Sequence, residues 1–148
     1  MRYLGVRRSD VVCIGRQHVR DGWLRFTTKK CPTALELPIP PELQKIIDAS
    51  ATGDMTYLLT DYGKGFTDAG FGGWFRERCD AAGLPHCSAH GLRKSAATVL
   101  AEAGASAHQL MAWFGWKSLK EAERYTRSAN QKKLAGSVVL LMEKTRAV

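Results

Sequence analysis

The stretch HGLRKSAATVLAEAGASAHQLMAWFGWKSLKEAERYTR, residues 90–127, contains the helix signals that decide the fold. Its first part predicts a helix that ends at Gly104, because glycine is a natural stop at the carboxyl end of a helix. The apolar side chains that we expect on the buried face of this helix are Leu92, Ala96, Val99, Leu100 and Ala103. If these side chains form the buried face, Arg93 is expected to face solvent.

Two further helices are predicted by repeated capping signals. Ser106 with Gln109, and Ser118 with Glu121, each have the three-residue spacing of a capping box. The second of these signals opens a helix that contains Tyr125. The stretch therefore predicts three consecutive helices joined by short turns.

The residues toward the N-terminus have a different period. Asp21-Gly22 predicts a tight hairpin turn between two alternating stretches, and a third alternating stretch follows at 34–37. These signals predict a small antiparallel sheet of three strands over roughly 17–39. Helices are then predicted at 40–50, where Pro40-Pro41 opens the segment, and at 67–82, with a loop over 50–66.

The last segment, QKKLAGSVVLLMEK at 131–144, places Leu134, Val138 and Leu141 on one face. We expect a last helix here that folds back on its own domain in the isolated chain. A permanent core helix is the alternative. The fold class that follows is α+β, mainly helical, with a small three-stranded antiparallel sheet, in one domain over 1–148.

Charge and cysteine content restrict the functional classes. Lys and Arg outnumber Asp and Glu by 22 to 14, which gives a net charge of +8 and favours polyanionic partners, nucleic acid above all. None of the four cysteines forms a C-x-x-C pair, so we expect reduced thiols in the cytoplasm. Cys87 and His90 lack a second pair of ligands, so we expect no metal. The apolar run Val138 to Met142 is too short to span a membrane.

Five short motifs occur in order along the chain. They are GVRRSD at 5–10, Lys30 in the turn between the second and third strands, HGLR at 90–93, GWKS at 115–118, and Tyr125, nine residues after Trp116. This set resembles the tyrosine recombinases, the phage integrase family. That family has a G-x-R-x-S-(E/D) box, a hairpin lysine, H-x-x-R, G-(H/W)-x-S, and a tyrosine nine residues after that His or Trp.

The resemblance implies a DNA strand transferase. Tyr125 would attack a DNA phosphodiester, form a 3′-phosphotyrosyl link and release a 5′-hydroxyl, so that rejoining needs no cofactor. An unperturbed tyrosine has a pKa of about 10 and is a poor nucleophile at neutral pH. Arg7 and Arg93 would stabilise charge on the phosphate, because guanidinium groups offer paired donors and stay protonated.

The other implied catalytic roles concern protons and a further donor. Lys30 would protonate the leaving oxygen, and His90 would share the proton work with the nucleophile. Trp116 stands where the commoner residue is His, and its indole N–H keeps a donor for a phosphate oxygen. Lys29 is the alternative hairpin lysine, and Cys31 follows where the usual residue is Thr.

Several neighbouring residues have ordinary structural interpretations. We expect Arg8 on the surface, and Asp10 either supporting the site or standing at the start of a strand. Trp116 has an alternative role as partly core. Trp113 and Phe114 are expected in the core, and the remaining histidines at the surface.

The resemblance also implies binding partners, and the chain differs from the family pattern at its N-terminal end. The partner would be double-stranded DNA, with a homo-tetramer assembled on it, and no membrane, metal or small-molecule substrate. On DNA, the last helix would exchange between protomers. The chain begins six residues before Arg7, so we expect the family's N-terminal DNA-binding domain and the first catalytic helix to be absent. A fragment, a misassigned start and a remnant of a decayed mobile element stay open, as does a catalytically inactive DNA-binding module. A helix-turn-helix regulator would leave Arg7, Lys30 and Tyr125 unexplained.

Overall fold

The computed structural model describes the backbone of residues 1–146, and the side chains of 1–129 together with 131, 135, 136, 138, 139 and 142. Most of the chain is helical, and a small sheet lies near the N-terminus. The helices are α1 Arg8–Val11, α2 Pro41–Ala49, α3 Asp68–Ala81, α4 Ala89–Glu102, α5 Ala107–Phe114 and α6 Leu119–Arg146. The strands are β1 Val19–Arg20, β2 Trp23–Thr27 and β3 Ala34–Pro38. The predicted fold class is confirmed.

The sheet forms because a tight turn joins two strands with alternating apolar residues. Asp21 and Gly22 both have positive φ, 51° and 75°, which is the backbone that the predicted two-residue turn requires. The strands pair antiparallel in the order β1-β2-β3. Their alternation buries Leu24, Leu35 and Leu37 on one face, where they pack with the N-terminal segment.

The predicted capping box of α5 is present in full. The backbone N–H of Gln109 donates to Ser106 Oγ at 3.2 Å, and the backbone N–H of Ser106 donates to Gln109 Oε1 at 2.7 Å. The helix ends at Gly115, whose φ of 64° is left-handed. Phe114 and Leu110 are fully buried against α4 and α6, so α5 forms the centre of the three-helix cluster.

Helix α4 buries a different face from the one predicted. The structure buries Ala89, Arg93, Ala96, Ala97 and Ala101. Val99 is 58% exposed, and Ala103 is exposed as well. The prediction that Arg93 faces solvent is therefore wrong. The physical reason is that small alanine side chains allow α5 and α6 to pack close to α4, whereas the prediction followed the largest apolar side chains.

Helix α3 forms as predicted, although it contains three glycines. Thr67 caps it by accepting from the Gly70 backbone N–H at 3.0 Å. Phe71 is buried in a cluster with Val12 and Ala89, which attaches α3 to both α1 and α4. This attachment places α3 beside the GVRRSD motif at 5–10, here called the arginine box. The preceding loop carries only an isolated bridge between Leu59 and Gly65.

The tail continues the helix that contains Tyr125. Helix α6 runs from Leu119 to Arg146 without a break, so the prediction of a separate last helix that folds back is wrong. Val138 is 43% exposed, whereas the side chains of Leu134 and Leu141 lie outside the described residues. Within the described part of the chain, no helix combines the length and hydropathy needed to cross a bilayer.

Candidate active site

Arg7 stands at the start of α1, where the chain changes from extended backbone to helix. Its φ and ψ are −69° and 158°, and its Nη1 is buried without a hydrogen-bond partner among the described residues. Gly5 just before it has φ 60°, and a Cβ at that position would overlap the ring of Phe114. The arginine box is therefore held closely against the end of α5, with a donor of Arg7 left unused.

Arg93 connects the arginine box to the end of α5. Its Nη1 donates to the carbonyl oxygen of Gly5 at 2.6 Å, and its Nη2 donates to the carbonyl oxygen of Phe114 at 2.8 Å. The side chain is 6% exposed. Burial, with a further contribution from the neighbouring charge of Arg7, lowers the pKa of Arg93 to about 10, so it stays protonated at neutral pH. Two of its five N–H donors are thus committed to the protein backbone.

Tyr125 belongs to a stack of three aromatic rings. Its ring lies parallel to that of Trp116, with centroids 5.3 Å apart and planes at 7°, and Trp116 in turn stacks on Phe114 at 4.7 Å. The guanidinium carbon of Arg93 lies 5.1 Å from the Phe114 ring centroid and 5.8 Å from that of Trp116. Trp116 packs partly buried against the three-helix cluster, so the alternative that it belongs partly to the core is confirmed.

A cationic cleft lies between α1, the β2–β3 turn, α3 and the start of α4. Its volume is about 840 Å³. It brings together three of the predicted site residues, Arg7, Lys30 and His90. The other lining residues include Arg8, Ser9, Lys29, Asp68, Gly72, Phe75 and Arg76. Asp68 is the acidic member of this lining, so the cleft is suited to an anion.

The two candidate lysines have different surroundings. The backbone N–H of Lys29 donates to Asp10 Oδ1 at 2.9 Å, and a hydrogen bond with Cys13 is the largest cause that raises the pKa of the Lys29 side chain. Lys30 instead lies near enough to His90 to lower the pKa of that imidazole. Both lysines line the cleft, and Lys30 stays the predicted hairpin lysine with Lys29 as the alternative.

Asp10 joins the arginine box to the lysine turn. It is 3% exposed, and it lies within α1 rather than at the start of a strand, so that alternative is wrong. Its Oδ1 holds the backbone of Lys29, and its Oδ2 is buried without a partner among the described residues. This placement fits the predicted supporting role, since the carboxylate connects two elements that each carry a candidate catalytic residue.

His90 lies in the first turn of α4, exposed at the edge of the cleft. Ser88 begins the helix by accepting from the Gly91 backbone N–H at 3.1 Å. Desolvation and the nearby charges of Lys94, Arg93, Lys30 and Arg7 lower the pKa of His90. The imidazole is thus neutral at pH 7 and able to accept a proton.

Comparison with known proteins gives the family of the chain. A family model described as the phage integrase family matches residues 5–132. The chain belongs to the phage integrase family. All six predicted site residues lie inside the matched range, and a search of curated proteins finds no match.

Solved structures share the fold of this integrase-family chain at low sequence identity. XerA recombinase matches with a TM-score of 0.73 and 18% identity over 92% of this chain and 53% of that one. A lambda integrase dimer bound to a COC′ core site matches with a TM-score of 0.71 and 20% identity, over 84% and 39%. The Tn1549 transposon integrase in complex with circular intermediate DNA matches with a TM-score of 0.66 and 15% identity, over 90% and 57%. The integrase-family chain thus spans about half the length of these relatives or less.

The integrase-family site also contains residues that sequence reasoning missed. Arg8 is exposed, as predicted, and it also lines the cleft together with Arg76 and Gly72 of α3, which was not predicted. Asp68 pairs with Arg8 across 60 positions of sequence, and no local signal could have revealed that pairing. Across the described residues of this integrase-family domain, no group of three or more His, Cys, Asp or Glu side chains is arranged to hold a metal ion.

Proposed function

We propose that this chain is the catalytic domain of a site-specific DNA recombinase that breaks and rejoins strands through a 3′-phosphotyrosyl intermediate. The observation that carries the proposal is the position of Arg93. It touches the aromatic stack that contains Tyr125, and it is hydrogen-bonded to the segment that carries Arg7 into the cationic cleft. One buried guanidinium therefore joins the nucleophile to the anion-binding residues.

The chemistry proceeds by exchange of one phosphodiester for another. The hydroxyl oxygen of Tyr125 forms a bond to phosphorus, and the bond from phosphorus to the 5′ oxygen breaks. His90, neutral at pH 7, accepts the tyrosine proton, and Lys30 supplies a proton to the leaving oxygen. The phosphotyrosyl bond retains the energy of the broken bond, so the reverse attack by a DNA hydroxyl needs no nucleotide cofactor.

Charge on the phosphate is balanced by the two arginines. Arg7 has a buried Nη1 with no hydrogen-bond partner among the described residues, and this donor can bind a phosphate oxygen. Arg93 retains three N–H donors beyond the two that hold the backbone carbonyls. Trp116 offers its indole N–H beside the tyrosine ring. Donors fixed before the reaction stabilise developing charge without reorganisation, and this is usually a large contribution to catalysis.

The proposed substrate is double-stranded DNA. The net charge of +8 and the lining of the cleft favour a polyanion. Two of the solved relatives were determined with DNA bound, which supports the same class of substrate here. The four cysteines are free, which fits a reducing compartment, and we place the protein in the cytoplasm.

A nicked suicide substrate tests the proposal. Cleavage beside the nick releases a short strand and traps the enzyme, so a denaturing gel should reveal a covalent protein–DNA adduct. Tyr125→Phe keeps the aromatic stack and removes the hydroxyl, so it should fold and form no adduct. Tyr57→Phe, on a loop away from the stack, is the matched control and should react normally. An adduct that persists in Tyr125→Phe would assign the nucleophile elsewhere.

A catalytically inactive DNA-binding module is the second candidate, because the chain spans about half the length of its solved relatives. The suicide substrate separates the two readings. Duplex binding with no adduct across cognate and mixed sequences would favour the binding module, whereas a Tyr125-dependent adduct would favour the enzyme.

We also propose that the domain assembles as a homo-tetramer on DNA through the exposed end of α6. Val138 and Val139 are exposed there, and apolar groups on a helix end usually meet a partner surface. Deleting 131–148 should leave a folded domain that binds DNA only as a monomer, measured by sedimentation. A tail-deleted protein that still forms tetramers on DNA would contradict this proposal.

A further inference from the structure

Arg8 lies in the cleft next to Arg7, at a variable position of the GVRRSD motif to which the resemblance gives no role. Its Nε donates to Asp68 Oδ1 at 2.5 Å, and the two side chains are 46% and 44% exposed. Its Nη1 lies over the backbone of Gly72, where a Cβ would overlap it. The guanidinium therefore rests on α3 at the open edge of the cleft, accessible to an incoming group.

Most of the donors of Arg8 are unused. A guanidinium has five N–H groups, and the bond from Nε to Asp68 is the one that Arg8 makes among the described residues. An exposed ion pair of this kind contributes little to stability, so another anion can compete with Asp68. Arg8 is thus a charged group with spare donors at the edge of an anion-binding cleft.

The ion pair is not needed to hold α1 against α3. Val12, which follows α1, packs with Phe71 of α3 in a buried apolar cluster, and that contact joins the two elements independently. Burial of apolar surface contributes more to packing than a half-exposed ion pair. The presence of Arg8 therefore calls for a role beyond the packing of α1.

We propose that Arg8 binds the DNA phosphate next to the one that Tyr125 attacks, and that Asp68 holds Arg8 in place and offsets its charge until DNA arrives. Arg7 and Arg8 are consecutive in sequence, and both line the same cationic cleft. Arg7 and Arg8 can therefore reach consecutive phosphates from one cleft. This inference rests on the proposed function, because it assumes that DNA occupies the cleft.

Salt dependence of DNA binding tests the inference in the Tyr125→Phe background, where no cleavage occurs. The probe is a fluorescein-labelled duplex of mixed sequence, with affinity measured by anisotropy across a salt series. Arg8→Gln should weaken binding about tenfold at low salt and lower the log–log slope by about 0.9, the value for one phosphate contact. Asp68→Asn should tighten binding several-fold, since it releases Arg8.

A second ion pair supplies the matched control. Arg25 and Glu36 pair at 3.5 Å on the outer face of the sheet, with side chains 48% and 61% exposed. Arg25→Gln makes the same change of charge outside the cleft and should leave the slope unaltered. Thermal melting of each variant establishes that it is folded.

The outcomes separate this inference from the proposed function. If Arg8→Gln and Asp68→Asn weaken binding to the same extent, the pair is a structural latch and the inference is wrong. If Arg8→Gln and Arg25→Gln lower the slope equally, Arg8 contributes only general charge, and the inference is again wrong. If the parent protein forms the covalent adduct but Arg8→Gln leaves the salt slope unchanged, this inference is wrong and the proposed function stands. If the parent protein binds no DNA, both are wrong.

Discussion

Trp116 and Tyr125 lie face to face, with ring planes only 7° apart. Their nine-residue separation in sequence spans the turn between α5 and α6, and this turn brings the two rings together. The contact restricts the tyrosine ring to one plane beside Arg93. A spacing that serves in sequence as a family signature therefore corresponds to a packing contact that orients the proposed nucleophile.

Trp116→Phe separates the packing role of the indole from its donor role. Phenylalanine keeps an aromatic face for Tyr125 but has no N–H, so we expect a folded protein whose single-turnover cleavage is about 100-fold slower. The suicide substrate gives the rate. Trp113→Phe is the control, because its indole nitrogen is buried and unpartnered among the described residues. Unaltered cleavage in Trp116→Phe would show that the indole N–H is not used.

Arg93→Lys tests the two hydrogen bonds by which the Arg93 side chain connects the carbonyl oxygens of Gly5 and Phe114. A lysine ammonium lacks the planar fork that reaches both carbonyl oxygens, so at least one buried acceptor loses its donor. We expect the free energy of unfolding to fall by about 2 kcal/mol, measured in urea, together with loss of the covalent adduct. Arg127→Lys, on the exposed face of α6, should change stability by less than about 0.5 kcal/mol. Equal stability of Arg93→Lys and the parent protein would refute the anchoring role.

The surrounding cations should control the titration of His90. Desolvation and the charges of Lys94, Arg93, Lys30 and Arg7 lower its pKa from the ordinary value of 6.5, so protonation is disfavoured in the folded state. This contribution to stability is present above about pH 6.5 and is lost as the pH falls through the lower folded pKa. Lys30→Gln should raise the pKa of His90, as followed by NMR. A pKa that did not move would mean that Lys30 is not close to the imidazole.

Two adjacent glycines of α3 should respond differently to alanine. A Cβ at Gly73 meets open space, so Gly73→Ala should stabilise the protein by about 0.8 kcal/mol through helix propensity. A Cβ at Gly72 overlaps the guanidinium of Arg8, which must move away from Asp68, so Gly72→Ala should gain less. Urea unfolding of the two variants measures the difference. A larger gain for Gly72→Ala would contradict the described position of Arg8.

Local signals predicted the strands and helices α2 to α5 correctly, whereas the tail continues α6 and forms no separate last helix. Asp21-Gly22 specified the hairpin because both residues tolerate positive φ, and Ser106 with Gln109 specified the start of α5 because their side chains satisfy backbone groups three residues apart. The site residues were recognised as a set of motifs, and the structure brings Arg7, Lys30 and His90 into one cleft. Signals that act within a few residues are readable from sequence.

Relationships between distant segments could not be predicted. The two partners of Arg93 are backbone carbonyls, which every residue carries and which therefore leave no mark in the sequence. The buried face of α4 depends on how closely α5 and α6 pack against its alanine side chains. The prediction assigned Val99 to the buried face because valine is the larger apolar residue, but Val99 is exposed. The pairing of Arg8 with Asp68 joins segments that only the packing of α3 brings together.

The bond from Arg93 to Gly5 closes a loop across 88 positions of sequence. Contacts of such long range form late in folding, because the chain must first lose the conformational freedom of the whole intervening segment. Tyr125 also lies beyond Phe114, the other anchor of Arg93, in the order of synthesis. A nascent chain on the ribosome therefore has neither an assembled cleft nor the proposed nucleophile, and we expect no strand cleavage until synthesis has passed Tyr125 and the loop between Gly5 and Arg93 has closed.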